Sequence, residues 1–500
     1  MDANISVIKQ ILNEEVSFFT DKVNPNSVFV EYPLPNSAKC FASIDDPRFH
    51  AFLDVRYCDL ADEDLCPPDI EDYLDAKERR TLYQQDSAVT INRRVAGNLS
   101  KGRIVYFLGD EHWNSVIVTE SGWRVMPSRK VKFLRTPFDE AQVEPISGGN
   151  LLKLLRPFVN MDKDDFILFV AFLVQTFSRS SSHFAAVISS SKGTGKSTLT
   201  KLYRSIVDPS TSGAALTPSS EGDLITQLAN SYVACFDNTT ALSSKYSDIL
   251  CSAITGTKAA KRKLYSNADQ VVLSLHNVIV VNGIDIVPRK SDLADRSLLF
   301  ELRSISKSAR RTDDEFWSDF TAQKSEIMGA IFDTLQKAMA LRSSIAVKRL
   351  PRMADAYREM VYIAVALGVD QADFERIFNA NRDKLLESYN QSSPLVECVL
   401  EYMRTRSNVS ERASTFYQKL QSSIVGSTKF FPNSPSALSR KLHEERDALE
   451  AAGYSFSRDK VAGYGHVSIK RIAKSQQTKA QRSYSQRKLL LADEDASSED

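Results

Sequence analysis

The sequence predicts an α/β protein whose core is a three-layer domain around a central parallel sheet. Between residues 184 and 300, short apolar runs alternate with helical segments, which is the rhythm of parallel strands covered by helices. The 500 residues exceed what one hydrophobic core accommodates, so smaller domains are expected around the sheet. Hydrophobic residues make up 42% and charged residues 25%, the proportions of an ordinary globular protein.

Charge, hydropathy and cysteine usage exclude several classes of protein. The formal net charge is +1, so any contact with nucleic acid must come from local basic patches. No long apolar run is present, and the first residues, MDANISVIKQILNEEV, lack the basic start of a secretory signal. The six cysteines are scattered without a C-x-x-C pair, which favours free thiols over a zinc site. We therefore expect a cytoplasmic protein without a membrane segment.

Changes in pattern divide the chain into five predicted parts. They are an N-terminal α+β domain (1–148), the core with its preceding helices (149–305), a helical segment (306–392), a winged-helix-like domain (393–473) and a disordered polar tail (474–500). Within the first part, short alternating runs between about 88 and 135 predict a small antiparallel sheet. The helical segment is expected to break at Pro351.

The strongest chemical signal lies at residues 184–198. A buried-strand run, FAAVI, leads into SSKGTGKST and then a helix, which approximates the phosphate-binding pattern G-x-x-x-x-G-K-[ST] with Ser190 in place of the first glycine. A bare GK[ST] occurs by chance in about one in four chains of this length, so its position between strand and helix carries the assignment. Lys196 is expected to reach the β and γ phosphates of ATP, and Ser197 to bind Mg²⁺. The predicted nucleotide-binding residues are Ser191, Lys192, Gly193, Thr194, Gly195, Lys196, Ser197 and Thr198.

The next apolar strand, YVACF, ends in Asp237 and Asn238. A carboxylate at a strand end, some 40 residues after a phosphate loop, suits the Walker B role of holding Mg²⁺. The alternative is a strand capped by a turn, since Asp-Asn is good turn chemistry. Many motor ATPases carry a second acid where this chain has Asn238, so the catalytic base is not assigned. Asp248 is a candidate only by proximity in sequence.

A third strand, VIVV, ends at Asn282, and an arginine follows fourteen residues later. The amide of Asn282 is placed to hold the attacking water, although Asn-Gly is also a common turn. Arg296 is placed to complete the site of a neighbouring subunit as an arginine finger. Its alternative is a surface salt bridge with Asp292 or Asp295. The predicted catalytic residues are Lys196, Asp237, Asn282 and Arg296.

This order of motifs resembles the superfamily 3 helicases, and more narrowly the helicase part of phage and plasmid primase–helicases. The segments that carry the resemblance are KGTGKST (192–198), CFDNTTALS (235–243), TGTKAAKRKLYSNAD (255–269), VIVVNGI (278–284), RKSDLADR (289–296) and PRMADA (351–356). The resemblance covers residues 150–473 well and residues 1–150 weakly. It implies an AAA+-like ATPase core, a ring that is usually a hexamer, ATP bound between subunits and single-stranded DNA in the pore.

The family also places a hairpin in the pore, between the second and third motifs. Here the resemblance implies DNA contacts by Lys258, Lys261, Arg262, Lys263 and Tyr265. Cations can follow a phosphate backbone and a ring can stack on a base, but a solvated charged loop remains the alternative. The first domain lacks the clustered carboxylates of a primase, since Asp45, Asp46 and Asp54 form no D-x-D pair on a strand. It is therefore expected to form a collar or bind a partner, and a separate primase is a candidate partner.

The region from about 431 to 472 is similar to the end of a winged helix. Ser434 and Pro435 form a good helix start, and Leu438, Leu442 and Leu449 then share one face. Basic residues lie between these leucines: Arg440, Lys441, His443 and Arg446. Such a helix can enter a major groove, but many winged helices bind proteins, and both alternatives stay open.

Three functions follow from the sequence. The leading one is an ATP-dependent helicase in the replication of a phage, plasmid or mobile element in a bacterial cytoplasm, acting on single-stranded or forked DNA. The second is a DNA-bound ATPase switch or anti-phage defence component that does not unwind, which the missing acid at Asn238 favours. The third is an inactive structural ring, which Ser190 favours.

Overall fold

The computed structural model describes residues 2–62, 70–84, 87–180, 182–191, 193–213, 218, 220–239, 242–262, 270–283, 291–306, 308, 310–392, 394–424, 431–461 and 464–472. The predicted α/β class is confirmed, with a parallel sheet among several helices. Lys192, Lys263, Tyr265 and the predicted tail at 474–500 lie outside the described residues. The cysteines within the described ranges are free, as Cys40, Cys58, Cys235, Cys251 and Cys398.

The first part of the chain packs helices on a four-stranded sheet of order β3-β2-β1-β4. Its helices are α1 (Asp2–Gln10), which continues into a π-helical turn (Ile11–Glu15), α2 (Pro47–Ala61) and α3 (Ile70–Gln84). Its strands are β1 (Ser17–Asp21), β2 (Val28–Pro33), β3 (Lys39–Ser43) and β4 (Ala88–Val89). Helix α2 begins where the Asp46 carboxylate accepts the N–H of Arg48, with Pro47 in the first turn.

A second sheet follows, as the alternating runs between 88 and 135 predict. Its antiparallel strands are β6 (Val95–Asn98), β7 (Arg103–Phe107), β8 (Asn114–Thr119) and β9 (Gly122–Pro127), in sequence order. Two short parallel strands, β5 (Ile91–Asn92) and β10 (Lys132–Phe133), pair beside it.

The central sheet is parallel and has the strand order β12-β15-β11-β16. Its strands are β11 (Ala185–Ser189), β12 (Val233–Phe236), β15 (Val278–Gly283) and β16 (Ser297–Glu301). The associated helices are α4 (Leu151–Leu155) with a 3-10 turn (Arg156–Phe158), α5 (Lys163–Gln175), α6 (Lys196–Val207), α7 (Glu221–Ala229), α8 (Ser244–Thr255) and α9 (Ser291–Ala294). An antiparallel hairpin of β13 (Thr257–Arg262) and β14 (Gln270–Leu275) precedes β15. The strands are buried because they are apolar on both faces, which is typical of a parallel sheet.

Three long helices follow the sheet. They are α10 (Asp313–Leu341), α11 (Ala354–Ala366) and α12 (Gln371–Ser392), and Pro351 lies in the break between the first two, as predicted. A second break at residues 367–370 was not predicted, since Pro351 was expected to be the one clear break. Helix α10 starts with a capping box in which Thr312 and Glu315 satisfy each other's backbone N–H groups. In the described part of the chain, no helix combines the length and apolarity that a membrane crossing requires.

The last part contains four helices and a three-stranded antiparallel sheet of order β17-β19-β18. In chain order the elements are α13 (Pro394–Met403), β17 (Asn408–Arg412), α14 (Ala413–Ser422), α15 (Pro435–Glu444), α16 (Arg446–Ala451), β18 (Tyr454–Val461) and β19 (Tyr464–Arg471). Ser434 caps α15 through the N–H of Ala437. The predicted leucines Leu438, Leu442 and Leu449 are all buried, but Leu449 lies on α16, so the three do not share the face of one helix as predicted.

The hydrophobic residues form three cores, and the sheet β6–β9 contributes to two of them. One face of this sheet, with Ile104 and Tyr106, joins the core around the parallel sheet, where the Tyr106 ring lies 4.9 Å from that of Phe177. The opposite face, with Val105 and Phe107, joins the N-terminal core. The third core belongs to the C-terminal part and includes Ala294 from α9. The predicted domain boundaries remain predictions.

Candidate functional site

The loop between β11 and α6 lies at the carboxyl edge of the parallel sheet. Gly193 and Gly195 adopt φ values of 76° and 88°, in the left-handed region that favours glycine. A side chain added at Gly193 would meet nothing within 4 Å, so the loop is open on that side. Helix α6 begins immediately afterwards at Lys196, and its first N–H groups and dipole make this edge attractive to anions.

Side chains of the loop hold its backbone in a closed curve. Lys196 Nζ donates hydrogen bonds to the carbonyl oxygens of Ser190 (2.6 Å) and Ser191 (2.7 Å). Thr194, which is 2% exposed, donates through Oγ1 to the Ser191 carbonyl oxygen at 3.2 Å. The Ser190 hydroxyl contacts the Thr194 hydroxyl. The serine in place of the first glycine is therefore accommodated as a cross-link within the loop.

The two predicted metal ligands lie together. Ser197 Oγ, in the first turn of α6, donates a hydrogen bond to Asp237 Oδ1, directly after β12, at 3.0 Å. Ser197 is exposed and Asp237 is half-buried, so solvent reaches the pair. A hydroxyl and a carboxylate oxygen are the ligand types that Mg²⁺ prefers, and these two fit that ion by the chemistry of their donors.

Asn282 is buried, and both ends of its side chain are occupied. It is 1% exposed, and its Oδ1 accepts the N–H of Asn238 at 3.0 Å. Its Nδ2 donates to Thr200 Oγ1 in α6 at 2.6 Å. The amide therefore joins the turn after Asp237 to helix α6. A role in holding the attacking water stays a prediction, and in this arrangement Asn282 positions the two segments that carry the predicted metal ligands.

Arg296 lies in a charge cluster between helices. It is 9% exposed, it donates to the Asp292 carbonyl oxygen at 2.7 Å, and it forms an ion pair with the Asp292 carboxylate. Arg352 pairs with the same carboxylate at 2.7 Å. Burial raises the pKa of the Asp292 carboxyl, but the hydrogen bond and charge of Arg296 outweigh this and lower the pKa below its ordinary value. Within one chain, Arg296 therefore makes the salt bridge to Asp292 that the sequence left open. The arginine finger stays a prediction that requires Arg296 to leave Asp292.

The other residues that the sequence predicts to be functional are on helix α8 and on the hairpin β13–β14. Asp248 is exposed on α8, and its role as a base stays a prediction. In the hairpin β13–β14, Lys258 is exposed and is opposite Ser274. Lys261 and Arg262 occupy the last two positions of β13, in register with Val271 and Gln270. DNA contact by these residues stays a prediction.

A pocket of about 530 Å³ adjoins the loop, and sequence patterns did not indicate it. Thr194, Gly195 and Thr198 form the side next to the loop. The other walls come from the turn after α4, from residues 302–306 after β16, and from the start of α10. Asn160 Nδ2 donates to the Arg303 carbonyl oxygen at 2.6 Å and joins two of these walls. Apolar residues such as Phe158 and Leu302 beside polar groups suit a small organic ligand with one flat apolar part.

Comparison with known proteins points to replication. Residues 150–386 match the family described as actinomycete integrative conjugative element replication protein, and this range includes Ser190, Asp237, Asn282 and Arg296. The match supports a role in the DNA replication of a mobile element. No curated protein sequence matches the chain.

Among solved structures, two apo structures of the C-terminal region of NrS-1, both described as the A form, are similar to the chain. One has 12% identity and a TM-score of 0.40, and the alignment covers 93% of this chain and 99% of that chain. The other, of residues 305–718, has 14% identity and a TM-score of 0.38, with 94% and 99% covered.

Proposed function

We propose that this chain is an ATP-dependent DNA helicase or translocase of the superfamily 3 type, acting in the replication of a phage, plasmid or similar mobile element. The observation that carries the proposal is the glycine loop before α6, with the Ser197 hydroxyl 3.0 Å from the Asp237 carboxylate. The match of residues 150–386 to a replication-protein family supports the biological setting.

In this proposal the loop binds the phosphates of ATP. The N–H groups of the loop and of the first turn of α6 face the phosphate oxygens, as in other phosphate loops. Lys196 exchanges the carbonyl oxygens of Ser190 and Ser191 for the β and γ phosphates. Ser197 and Asp237 hold Mg²⁺, and the adjoining pocket takes the base and ribose. The bound ATP supplies a phosphoanhydride bond whose hydrolysis drives movement.

The remaining parts fit an AAA+-like ring. The strand that leads into the loop, β11, lies between β15 and β16 within the parallel sheet. The last part would be a winged helix, and its element order and sheet order β17-β19-β18 support this. The ring would be a hexamer in which Arg296 reaches the neighbouring site, and a separate primase would supply primers. The pore hairpin would contact single-stranded or forked DNA through Lys258, Lys261, Arg262, Lys263 and Tyr265.

A DNA-bound ATPase switch that does not unwind is the second candidate. Asn238 stands where a second acid would polarise the attacking water, and the Asn282 amide is occupied at both ends. Both features favour slow hydrolysis, which suits a switch better than a motor.

ATP hydrolysis measured with and without single-stranded DNA tests the proposal. Lys196→Ala supplies the blank, and Lys201→Ala is the matched control because Lys201 is an exposed lysine on the same helix. Stimulation by DNA that is lost only in the Lys196 variant, together with strand displacement, supports the helicase. Stimulation without strand displacement would favour the switch. Rates no higher than the blank would favour an inactive ring.

A further inference from the structure

Arg179 connects the loop after α5 to the N-terminal sheets. Its backbone N–H donates to the Gly97 carbonyl oxygen in β6 at 2.9 Å. Its guanidinium donates through Nη1 to Asn92 Oδ1 in β5 at 2.9 Å. Asn98 Nδ2 donates back to the Arg179 carbonyl oxygen at 3.5 Å. Both the backbone and the side chain of Arg179 are therefore attached to the region before residue 100.

The same guanidinium reaches the base of the hairpin β13–β14, where Gly256 precedes β13 and His276 follows β14; we call this the hairpin root. Arg179 Nε donates to His276 Nδ1 at 3.3 Å, and His276 lies between the end of β14 and the start of β15. The His276 ring also lies against Gly256, which ends α8 with φ 78° and leads directly into β13. A side chain added at Gly256 would lie 3.6 Å from the ring. Both ends of the hairpin thus meet at one imidazole.

The contact between Arg179 and His276 requires a neutral ring whose Nδ1 accepts. Burial and the charge of Arg179 lower the pKa of His276 to about 4, so the ring stays neutral near pH 7. The contact is therefore compatible with neutral pH.

The hairpin has free space beside β14. A cavity of about 600 Å³ lies between Val272, Leu273 and Ser274 on one side and N-terminal residues such as Phe29 and Ile91 on the other. Arg179 and His276 also line this cavity. Since side chains do not fill this space, the hairpin can shift while Arg179 holds its root.

The root is also the beginning of the strand that ends at the candidate site. Asn277 is fixed by its Nδ2, which donates to the carbonyl oxygens of Leu228 (2.8 Å) and Ser231 (2.6 Å). Strand β15 then runs between β12 and β11 to Asn282, whose amide holds the turn after Asp237. A displacement of the root would therefore act on a rigid strand whose far end is at the Mg²⁺-binding pair.

We propose that Arg179 is a positioning residue: by joining Asn92 to His276 it sets the resting position of the hairpin, and thereby the coupling between DNA contact and hydrolysis. The inference rests on the proposed function of the hairpin. Without this bridge the hairpin root would move independently of the N-terminal sheets, and DNA contact would be transmitted less completely along β15.

The test compares the full-length chain with Arg179→Ala, His276→Ala, His276→Gln and the double alanine variant. Arg103→Ala is the control, because Arg103 is an exposed arginine on the neighbouring sheet. We expect basal hydrolysis within about twofold of the parent and a DNA-stimulated increment that is reduced about fivefold in either alanine variant. The double variant should lose no more than the single variants, because both changes break one connection. His276→Gln, which keeps an acceptor for Arg179, should retain most of the stimulation.

Equal losses of basal and stimulated rates would overturn the inference, as would full stimulation in Arg179→Ala. Hydrogen exchange at residues 270–283 shows whether the positioning role of Arg179 has failed or whether the proposed helicase function has failed. If the parent chain shows no stimulation by DNA, the helicase proposal fails. Positioning by Arg179 still predicts faster exchange at residues 272–276 in Arg179→Ala than in Arg103→Ala, and unchanged exchange there would contradict it.

Discussion

The two edges of the parallel sheet use polar residues in different ways. At the carboxyl edge, the Ser197 hydroxyl and the Asp237 carboxylate form a single hydrogen bond that solvent reaches. At the amino edge, Arg94 and Asp208 form an ion pair whose side chains are 2% and 6% exposed. A buried pair with all its hydrogen bonds satisfied fixes structure, whereas an open pair keeps oxygen lone pairs for a ligand.

The amino-edge pair is satisfied on both sides. The Arg94 guanidinium donates to Asp208 Oδ1 at 3.0 Å and to four backbone carbonyl oxygens between 3.2 and 3.3 Å. The other oxygen of Asp208 accepts the N–H groups of Tyr232 (3.2 Å) and Val233 (3.1 Å) at the start of β12. Arg94 thus joins the segments around β7 to the end of α6, and Asp208 joins both to the start of β12.

The largest effect is expected from Arg94→Ala. Removing the guanidinium takes the hydrogen-bonded charge partner from Asp208 Oδ1 and one donor from each of four backbone carbonyl oxygens, and the free energy of unfolding should fall by about 3–5 kcal/mol. Chemical denaturation measures this, with the exposed Arg124→Ala as a control that should change stability by less than about 0.5 kcal/mol. A loss below about 1 kcal/mol for Arg94→Ala would mean that the two edges do not differ as described.

Lys196→Ala tests the opposite edge. Hydrolysis should fall about a hundredfold or more, because a phosphate-facing donor is lost, while the unfolding free energy should change by less than about 1 kcal/mol. Paired measurements of rate and melting temperature show whether activity and stability separate here. A large loss of stability would show that the bonds from Lys196 to the Ser190 and Ser191 carbonyl oxygens are structural.

If Asp237 binds Mg²⁺ as proposed, Asp237→Asn should weaken that interaction and leave the fold intact. The amide keeps a hydrogen-bonding oxygen for Ser197 but loses the negative charge, so the Mg²⁺ concentration for half-maximal hydrolysis should rise about tenfold. A titration with Mg²⁺ at saturating ATP measures the shift. Asp223→Asn, a change on the surface helix α7, should leave the titration unchanged.

The smallest expected effect is a change in how the stability of the folded protein depends on pH. Although burial opposes it, the charges of Arg204 and Arg94 lower the pKa of Asp208 from its ordinary value of 3.8. Because the pKa is lower in the folded protein, the stabilisation is present above the unfolded value and is lost as the pH falls through the folded value. Urea midpoints of the parent and of Asp208→Asn should therefore converge as the pH falls below that range. A constant difference between them would contradict this assignment.

Sequence patterns predicted the parts of the site that are local in the chain. The strand, the glycine loop and the helix are contiguous, and Asp237 and Asn282 were found because each follows an apolar strand. The partners of Asn282 were not predicted, since Thr200 and Asn238 come near it only when β15 lies beside β12 and α6. Whether Asn282 and Arg296 have the predicted catalytic roles is for experiment to decide.

The contacts of the amino edge had no signal in the sequence. Arg94 and Asp208 are 114 residues apart, and Arg179 and His276 are 97 apart, so no spacing rule connects them. Arg94 belongs to a run that reads as an ordinary short strand, and Asp208 as the end of a helix. The pocket beside the loop was missed for the same reason, because its walls come from four separate segments.

The sheet β6–β9 has a consequence for how this chain folds and how it can recombine. Because Tyr106 and Phe107, adjacent in β7, face different cores, each core supports one face of the same four strands. Melting of either core would expose an apolar face to water, so the two should unfold in one cooperative transition. A recombination event between residues 130 and 150 would separate the sheet from the core around the parallel strands. The N-terminal part and the parallel-sheet part are thus expected to be stable together and to lose stability when expressed as separate fragments.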